Sequence, residues 1–231
     1  MRSFPLIFAF LICMNCPTLA QKTDTLPKPK GQSYFSSGGE IIFSFARVKY
    51  QGSTDGSKLR FSPFFNIQSY FNYDASDYFG YFAGFTLRNA GFIYEFPDTD
   101  TKKKYRNYQV GFPVGIKLGR MNRTFLYFGY EPEFPFHYKE KTFRNGDKVD
   151  KFSIWFSNRT PRIYHAVLAG IQLPYATNLK FKYYLSGFFN RDFQTVENGN
   201  AVFPYQNLQA HVFYISLSFN LLRNTELSFG D

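Results

Sequence analysis

Cysteine is almost missing from this chain. Of 231 residues only Cys13 and Cys16 are cysteines. Both fall in an N-terminal stretch with the pattern of a cleavable export signal. Arg2 gives a positive start, residues 4–14 form an apolar segment too short to cross a bilayer as a helix, and Thr18-Leu19-Ala20 places small residues ahead of Gln21. The exported chain is then expected to hold no cysteine, which excludes disulfides, thiolate metal sites and a cysteine nucleophile. Cys13 follows Ile12 and Cys16 follows Asn15, and neither neighbour is the small residue that lipid attachment requires. A lipid anchor is therefore not expected.

Histidine is scarce as well. His137, His165 and His211 lie on different segments, so a histidine metal cluster is not expected, and no cofactor is implied. Long apolar runs are absent. After Ala20 no stretch approaches 18 uninterrupted apolar residues, which excludes helical membrane spans. An exported chain that crosses lipid without helices has one alternative, the closed β-barrel. Acidic residues are outnumbered 17 to 27 by basic ones, for a formal charge of +10, or +9 once Arg2 leaves with the signal. Such a balance can favour nucleic acid. An exported protein rarely meets it, and no basic stripe stands out along the sequence. Outer-membrane lipid and lipopolysaccharide are the expected partners, other envelope proteins are further candidates, and nucleic acid is not expected.

What the chain has in abundance is aromatic side chains, with 31 Phe and 18 Tyr, although its mean hydropathy is −0.32. Bulky strand formers in a sequence that is polar on average point to alternation. Residues 21–38, with Lys28-Pro29-Lys30 nearby Ser and Gly, read as a flexible periplasmic leader. Eight strand-like segments follow at about 39–50, 58–72, 77–95, 104–119, 124–137, 161–173, 177–189 and 208–222, leaving a tail over 223–231. Alternation is plain in several. Tyr108, Val110, Phe112, Val114, Ile116 and Leu118 share one face, opposite Gln109, Gly111, Gly115 and Lys117. Leu179, Phe181, Tyr183 and Leu185 oppose Lys180, Lys182, Tyr184 and Ser186.

A soluble sandwich also alternates, so the joints matter. The connections 73–76, 120–123 and 174–176 are short, while 51–57, 96–103, 138–160 and 190–207 are longer, and the two kinds alternate. Short periplasmic turns and longer external loops are the habit of outer-membrane barrels. The expected fold is all-β: an eight-stranded antiparallel up-and-down transmembrane barrel over 39–222, both termini periplasmic. Pro63, Pro113, Pro132 and Pro135 fit badly inside strands, where each removes a ladder donor; they mark bulges, or the fifth strand stops before Pro132. The chain ends Phe229-Gly230-Asp231, and Phe219 is the candidate for the terminal aromatic residue of a barrel.

Three stretches resemble small outer-membrane β-barrel proteins of the Bacteroidetes, the PorT-like group. They are Leu87-Arg88-Asn89-Ala90-Gly91-Phe92-Ile93-Tyr94, Val110-Gly111-Phe112-Pro113-Val114-Gly115-Ile116-Lys117-Leu118-Gly119 and Leu179-Lys180-Phe181-Lys182-Tyr183-Tyr184-Leu185. Phe134-Pro135-Phe136-His137-Tyr138-Lys139-Glu140-Lys141 adds to the likeness, which covers most of 39–222. The resemblance implies an outer-membrane location and an eight-stranded barrel, and it raises a place in a type IX secretion or gliding apparatus. Asp24-Thr25-Leu26 matches a short O-glycosylation pattern of that phylum, although a plain linker is the preferred reading.

By strand parity Arg60, Arg88, Lys117, Glu131, Glu133, Lys180 and Lys182 face the lumen, with Arg60 and Arg88 at similar depth. Ions inside a barrel need partners, so a buried charge network is expected in preference to an ion or ligand site. Glu131 and Glu133 could also form a general acid/base pair. No nucleophile motif accompanies the histidines, so the chain is read as non-catalytic, with a lipid-modifying enzyme as an alternative. An eight-stranded lumen is just wide enough for its own side chains, which excludes bulk solute flow. In loop 138–160, Val149, Phe152, Trp155 and Phe156 have spacings that align on a short helix, an apolar stripe for a partner or for lipid. Arg144-Asn145-Gly146-Asp147 before it reads as a turn. The function expected is that of a membrane anchor, assembly component or surface-binding module acting through its long loops.

Overall fold

The computed structural model describes residues 31–225, apart from Asp98 and Asn198. The export signal with Cys13 and Cys16, the Asp24-Thr25-Leu26 site and residues 226–231 lie outside the described residues. All regular structure among the described residues is β-strand, and the fold resembles membrane β-barrel architecture. The strands are β1 (Gln32–Tyr50), β2 (Ser53–Gly56), β3 (Arg60–Ser62), β4 (Ile67–Asp74), β5 (Phe79–Phe96), β6 (Thr101–Gly111) and β7 (Val114–Arg120). They continue as β8 (Thr124–Arg144), β9 (Asp147–Trp155), β10 (Tyr164–Gln172), β11 (Thr177–Tyr184), β12 (Thr195–Glu197), β13 (Asn200–Val202) and β14 (Leu208–Thr225).

Every pairing is antiparallel, and β14 returns to lie along β1 from Tyr34↔Thr225 to Tyr50↔Leu208. From β1 the ladder passes to β3 and β4, then β5, then β6 and β7, then β8, β10, β11, β14 and back to β1. Two of the expected strands are each split in two. Pro63 sits in the break between β3 and β4, and Pro113 in the break between β6 and β7. Each proline lacks the N–H that an unbroken ladder would need. The first break is tied by Asn66, whose Nδ2 donates to Ser62 O at 2.8 Å and whose Oδ1 accepts from Asn89 N at 3.0 Å. Pro132 does not end the fifth strand: it lies within β8 opposite His165. Pro135 adjoins a register shift between Tyr108 and Gln109, where Phe136 is the extra residue.

Several ends differ from the sequence reading, among them β11, which stops at Tyr184 and not at the expected 189. β1 begins at Gln32, inside the segment read as flexible leader, because Gln32–Gly39 pairs with β4. β14 runs to Thr225, past the expected end at 222. The 138–160 segment is no loop with a helix. β8 extends to Arg144, turns at Asn145-Gly146 with φ of 50° and 87°, and returns as β9. Two central residues with positive φ are the geometry of a type I′ hairpin turn, which suits Asn-Gly. Gln51-Gly52 turns β1 into β2 in the same way, with φ of 49° and 91°.

Burial is inverted relative to a soluble sheet. Phe112, Phe181 and Ile215 stand 45%, 45% and 46% exposed, while Lys117 and Lys182 stand 1% and 0% exposed. The enclosed side has three tiers. Toward the long joints, Phe92, Tyr94, Tyr105, Tyr138 and Tyr164 on strands meet Phe188, Phe189 and Tyr205 from the segment joining β11 to β14. Toward the short turns, Phe82, Tyr127 and Leu168 form a second cluster. Charged side chains lie between. Glycine makes room where rings cross the lower tier: a Cβ on Gly129 would stand 2.6 Å from Val114 O and 2.9 Å from Phe82 Cζ.

Overfilling that tier has a definite expected effect. Gly129→Val should lower the unfolding free energy by about 1–3 kcal/mol. Leu126→Val, on the exposed face of the same strand, should change it far less. Urea unfolding of the two variants in lipid vesicles checks this, and equal losses would contradict the packing described.

Candidate functional site

The middle tier is built by parity. Residues two apart on a strand share a face, so Glu131 and Glu133 on β8, Lys180 and Lys182 on β11, Arg88 on β5 and Glu40 on β1 all point to the enclosed side, and all six are buried. Lys182 Nζ sits 2.5 Å from Glu131 Oε2 and 2.5 Å from Glu133 Oε1. Arg88 reaches Glu131 at 3.4 Å, Glu133 at 3.6 Å and Glu40 at 3.6 Å. Lys180 Nζ lies 2.7 Å from Glu40 Oε1. Three cations thus face three carboxylates, and the cluster is neutral when all are ionised.

Neutral donors complete it. Thr86 Oγ1 donates to Glu131 Oε1 at 2.5 Å, Gln109 Nε2 to Glu133 Oε2 and Ser216 Oγ to Glu40 Oε1. Arg88 donates to the Tyr214 hydroxyl, and Lys180 to Gln68 Oε1 at 3.0 Å. A desolvated ion costs several kcal/mol unless such partners surround it. Both oxygens of Glu131 and of Glu133 are engaged, which leaves neither poised toward solvent as a base.

Of the seven residues assigned to the lumen from sequence, five are not enough to describe the cluster and two stand apart from it. Arg88, Glu131, Glu133, Lys180 and Lys182 come together. Lys117 pairs instead with Asp74 Oδ1 at 2.5 Å and with Tyr34 OH at 3.2 Å, nearer the short turns. Arg60, held by the kinked β3–β4 segment, donates to Asn89 Oδ1 at 2.5 Å and to Asn89 O at 3.2 Å. No carboxylate lies within 4.0 Å of it among the described residues. Glu40 and Asp74 were not identified from sequence, although Glu40 shares the parity of the buried Ile42, Ser44 and Ala46.

The apolar candidates in 138–160 are divided by the strand they occupy. Val149 and Trp155 project outward from β9, while Phe152 turns inward against Tyr138, with ring centroids 6.4 Å apart, and lies under the Arg159 guanidinium at 4.7 Å. Phe156 follows β9 at a positive φ of 50° and is exposed. Four residues cannot form one stripe here because a strand alternates every two residues. Trp155 stacks on His137 at 4.4 Å and 17°. His165 Nδ1 meets the Tyr130 hydroxyl at 2.5 Å, and His211 Nε2 meets Gln209 Nε2 at 3.1 Å. The three histidines remain on separate elements, and no group of three metal-ligating side chains occurs among the described residues.

Toward the long joints an open cup of ≈ 510 Å³ is lined by Tyr50, Lys103, Tyr105, Glu140, Arg159 and Tyr205, among others. Beneath it, the space bounded by Gln109, Tyr164, Tyr184 and Phe188 shrinks to ≈ 10 Å³, about the room of one water.

No protein-family model matches the sequence, and no curated protein matches it significantly. Solved structures resemble it at low identity. The attachment invasion locus protein Ail of Yersinia pestis is 14% identical over 85% of this chain and 100% of its own, with a TM-score of 0.35. Neisserial surface protein A is 12% identical over 84% and 100%, with a TM-score of 0.37. OprG from Pseudomonas aeruginosa is 11% identical over 85% and 98%, with a TM-score of 0.37. Scores below 0.5 leave the fold to rest on this chain's own pairing and burial.

The cluster sets a stability test. Lys182→Met removes the cation between Glu131 and Glu133 and should cost about 3–5 kcal/mol. Adding Glu133→Gln to that variant restores the charge balance and should recover part of the loss. Unfolding midpoints in vesicles read both, and a double variant weaker than the single one would contradict the charge coupling.

Proposed function

We propose that this chain is a closed, eight-stranded up-and-down barrel of a bacterial outer membrane, with both termini periplasmic and no catalytic role. It serves as an anchor, assembly component or surface-binding module through its external hairpins and the cup they form. The observation that carries this reading is the inverted burial: aromatic and aliphatic side chains outward, charges inward. A sheet in water gains nothing from that arrangement, whereas a sheet in lipid requires it. Support also comes from the circuit of pairings that returns from β14 to β1. The filled tiers oppose a solute channel, so the working surface is the external one.

Two narrower readings are separable from this. Membership of the PorT-like group, with a place in a type IX secretion or gliding apparatus, rests on the stretches around residues 87–94, 110–119 and 179–185. Co-purification from crosslinked outer membranes tests it, since an isolated protein without stable partners argues against a machine component. A lipid-modifying activity would need a histidine beside an acid and a nucleophile. Among the described residues no ion pair joins His137, His165 or His211 to a carboxylate.

Folded protein in outer-membrane fractions is expected to migrate differently on a gel before and after boiling. Phe181→Arg places a charge on the lipid face and should cost about 2–4 kcal/mol if the site is near the bilayer midplane. In a soluble sheet the same substitution on an exposed position would be close to neutral. Refolding yield into vesicles distinguishes the two, and an unimpaired Phe181→Arg variant would count against membrane insertion.

A further inference from the structure

Beyond the membrane-spanning region, β6, β8 and β9 continue as a projecting sheet. On β6 the inward positions are Tyr105, Asn107 and Gln109, all buried, so Lys104, Arg106 and Tyr108 face outward. On β8 Tyr138 is buried and Glu140 is bonded to it, so His137, Lys139 and Lys141 face outward. The register sets these residues in rows. Tyr108 lies opposite His137, which lies opposite Trp155. Arg106 lies opposite Lys139, and Lys104 lies opposite Lys141, which lies opposite Lys151.

The first row is a stack of rings, with Tyr108–His137 centroids at 5.4 Å and His137–Trp155 at 4.4 Å. The next two rows are cationic. Like charges directly opposite one another destabilise a sheet, and none of the five cations has an ion pair among the described residues. The neighbouring carboxylate on this face, Glu95, is already held by Lys58 at 3.3 Å and Lys102 at 3.7 Å. Burial, and then the charges of Arg60, Arg106 and Lys141, hold the Lys104 ammonium below the usual lysine range. Burial, and then Lys139, Arg106, Lys148 and Lys151, do the same to Lys141. An anion on this face would relieve that repulsion.

Its height identifies the anion. Going outward on this face, the chain reads Leu118, Ile116, Val114, Phe112, Val110, Tyr108, then Arg106 and Lys104. Ten residues at ~3.3 Å each, tilted by ~40°, span ~25 Å, the height of the apolar band of an outer-membrane barrel. The aromatic row therefore marks the outer interface. The cationic rows stand one step above it, at the level of lipid phosphates.

We propose that the outward face formed by Arg106, Lys139, Lys104, Lys141 and Lys151 binds the phosphates of an outer-leaflet glycolipid headgroup. The acyl chains lie below the ring stack, along Val110, Phe112 and Phe134. Arg106 is braced for this role, since its Nη1 donates to Tyr108 OH at 3.1 Å and its guanidinium lies 5.9 Å from that ring's centre. The inference rests on the membrane reading above and deepens it by naming a headgroup and a site.

Trp155 is the single tryptophan of the chain and lies in the ring row, so its emission reports on this face directly. Full-length protein folded in neutral detergent is titrated with bis-phosphorylated lipid A, with dephosphorylated lipid A and with heparin as a soluble polyanion. Saturable change in Trp155 emission is expected with the first, at least tenfold weaker with the second and third. Arg106→Gln/Lys139→Gln/Lys141→Gln should weaken lipid A binding at least tenfold, while its lipid-free urea midpoint stays equal or rises as the like charges are relieved. Should that variant fail to fold, Lys104→Gln/Lys151→Gln must give the same direction of change. Unaltered affinity in a folded variant, equal binding of the dephosphorylated lipid, or preference for heparin would each overturn the proposal. The gel shift on boiling keeps this separate from the membrane reading: a heat-modifiable barrel without phosphate dependence sinks only the headgroup site.

Discussion

One ammonium group, that of Lys182 between Glu131 and Glu133, shows what the rest of the structure must do. A lysine with both carboxylate contacts at 2.5 Å and no exposure can exist only where partners arrive from several strands at one level. Arg88, Lys180 and Glu40 supply the remaining charge, and Thr86, Gln109, Ser216 and Tyr214 supply neutral bonds. These residues come from β1, β5, β6, β8, β11 and β14. The register of each strand is thereby fixed, because a slip of one residue would turn every charge outward and every phenylalanine inward. Such a cluster gives modest net stability, since desolvation offsets most of the attraction, but it penalises wrong registers heavily.

The tiers on either side divide the remaining work. Above the charges, aromatic rings from the strands and from the segment between β11 and β14 pack together, and the space beside Gln109, Tyr164 and Phe188 is ≈ 10 Å³. Below them, Phe82 and Tyr127 meet edge to face at 5.8 Å and 89°, over glycines that leave room for the rings. Lys117 and Asp74 close that end. On the projecting hairpins the aromatic cup and the cationic face lie on opposite sides of the same strands.

Much of this was legible from period-two alternation. The outward set from Tyr108 to Leu118 and the inward Lys180 and Lys182 follow from parity alone, and the short joints expected at 120–123 and 174–176 coincide within a residue with the turns between β7 and β8 and between β10 and β11. Parity could not show partners. Arg60 and Arg88 both lie buried on the enclosed side, yet Arg60 bonds to the neutral Asn89 while Arg88 meets three carboxylates. Val149, Phe152 and Trp155 fit a helical spacing over a short window, but β8 offered an edge to pair with, and a hydrogen-bonded ladder outweighs a weak local pattern. The cationic face was invisible for a related reason. Its members are alternate residues on three strands, diluted in sequence by Tyr105, Tyr138 and Glu140, and they become a cluster only when the hairpins bring them into register.

The central claim is that the exposed apolar belt meets lipid and not water. Because the exported chain is expected to lack cysteine, single cysteines can be placed at Phe112, Phe181 and Ile215 and labelled with a polarity-sensitive fluorophore in reconstituted vesicles. The account predicts blue-shifted emission at all three, strongly quenched by lipids brominated on their acyl chains and insensitive to aqueous iodide. Water-like emission quenched by iodide at those positions, in folded protein, would contradict it.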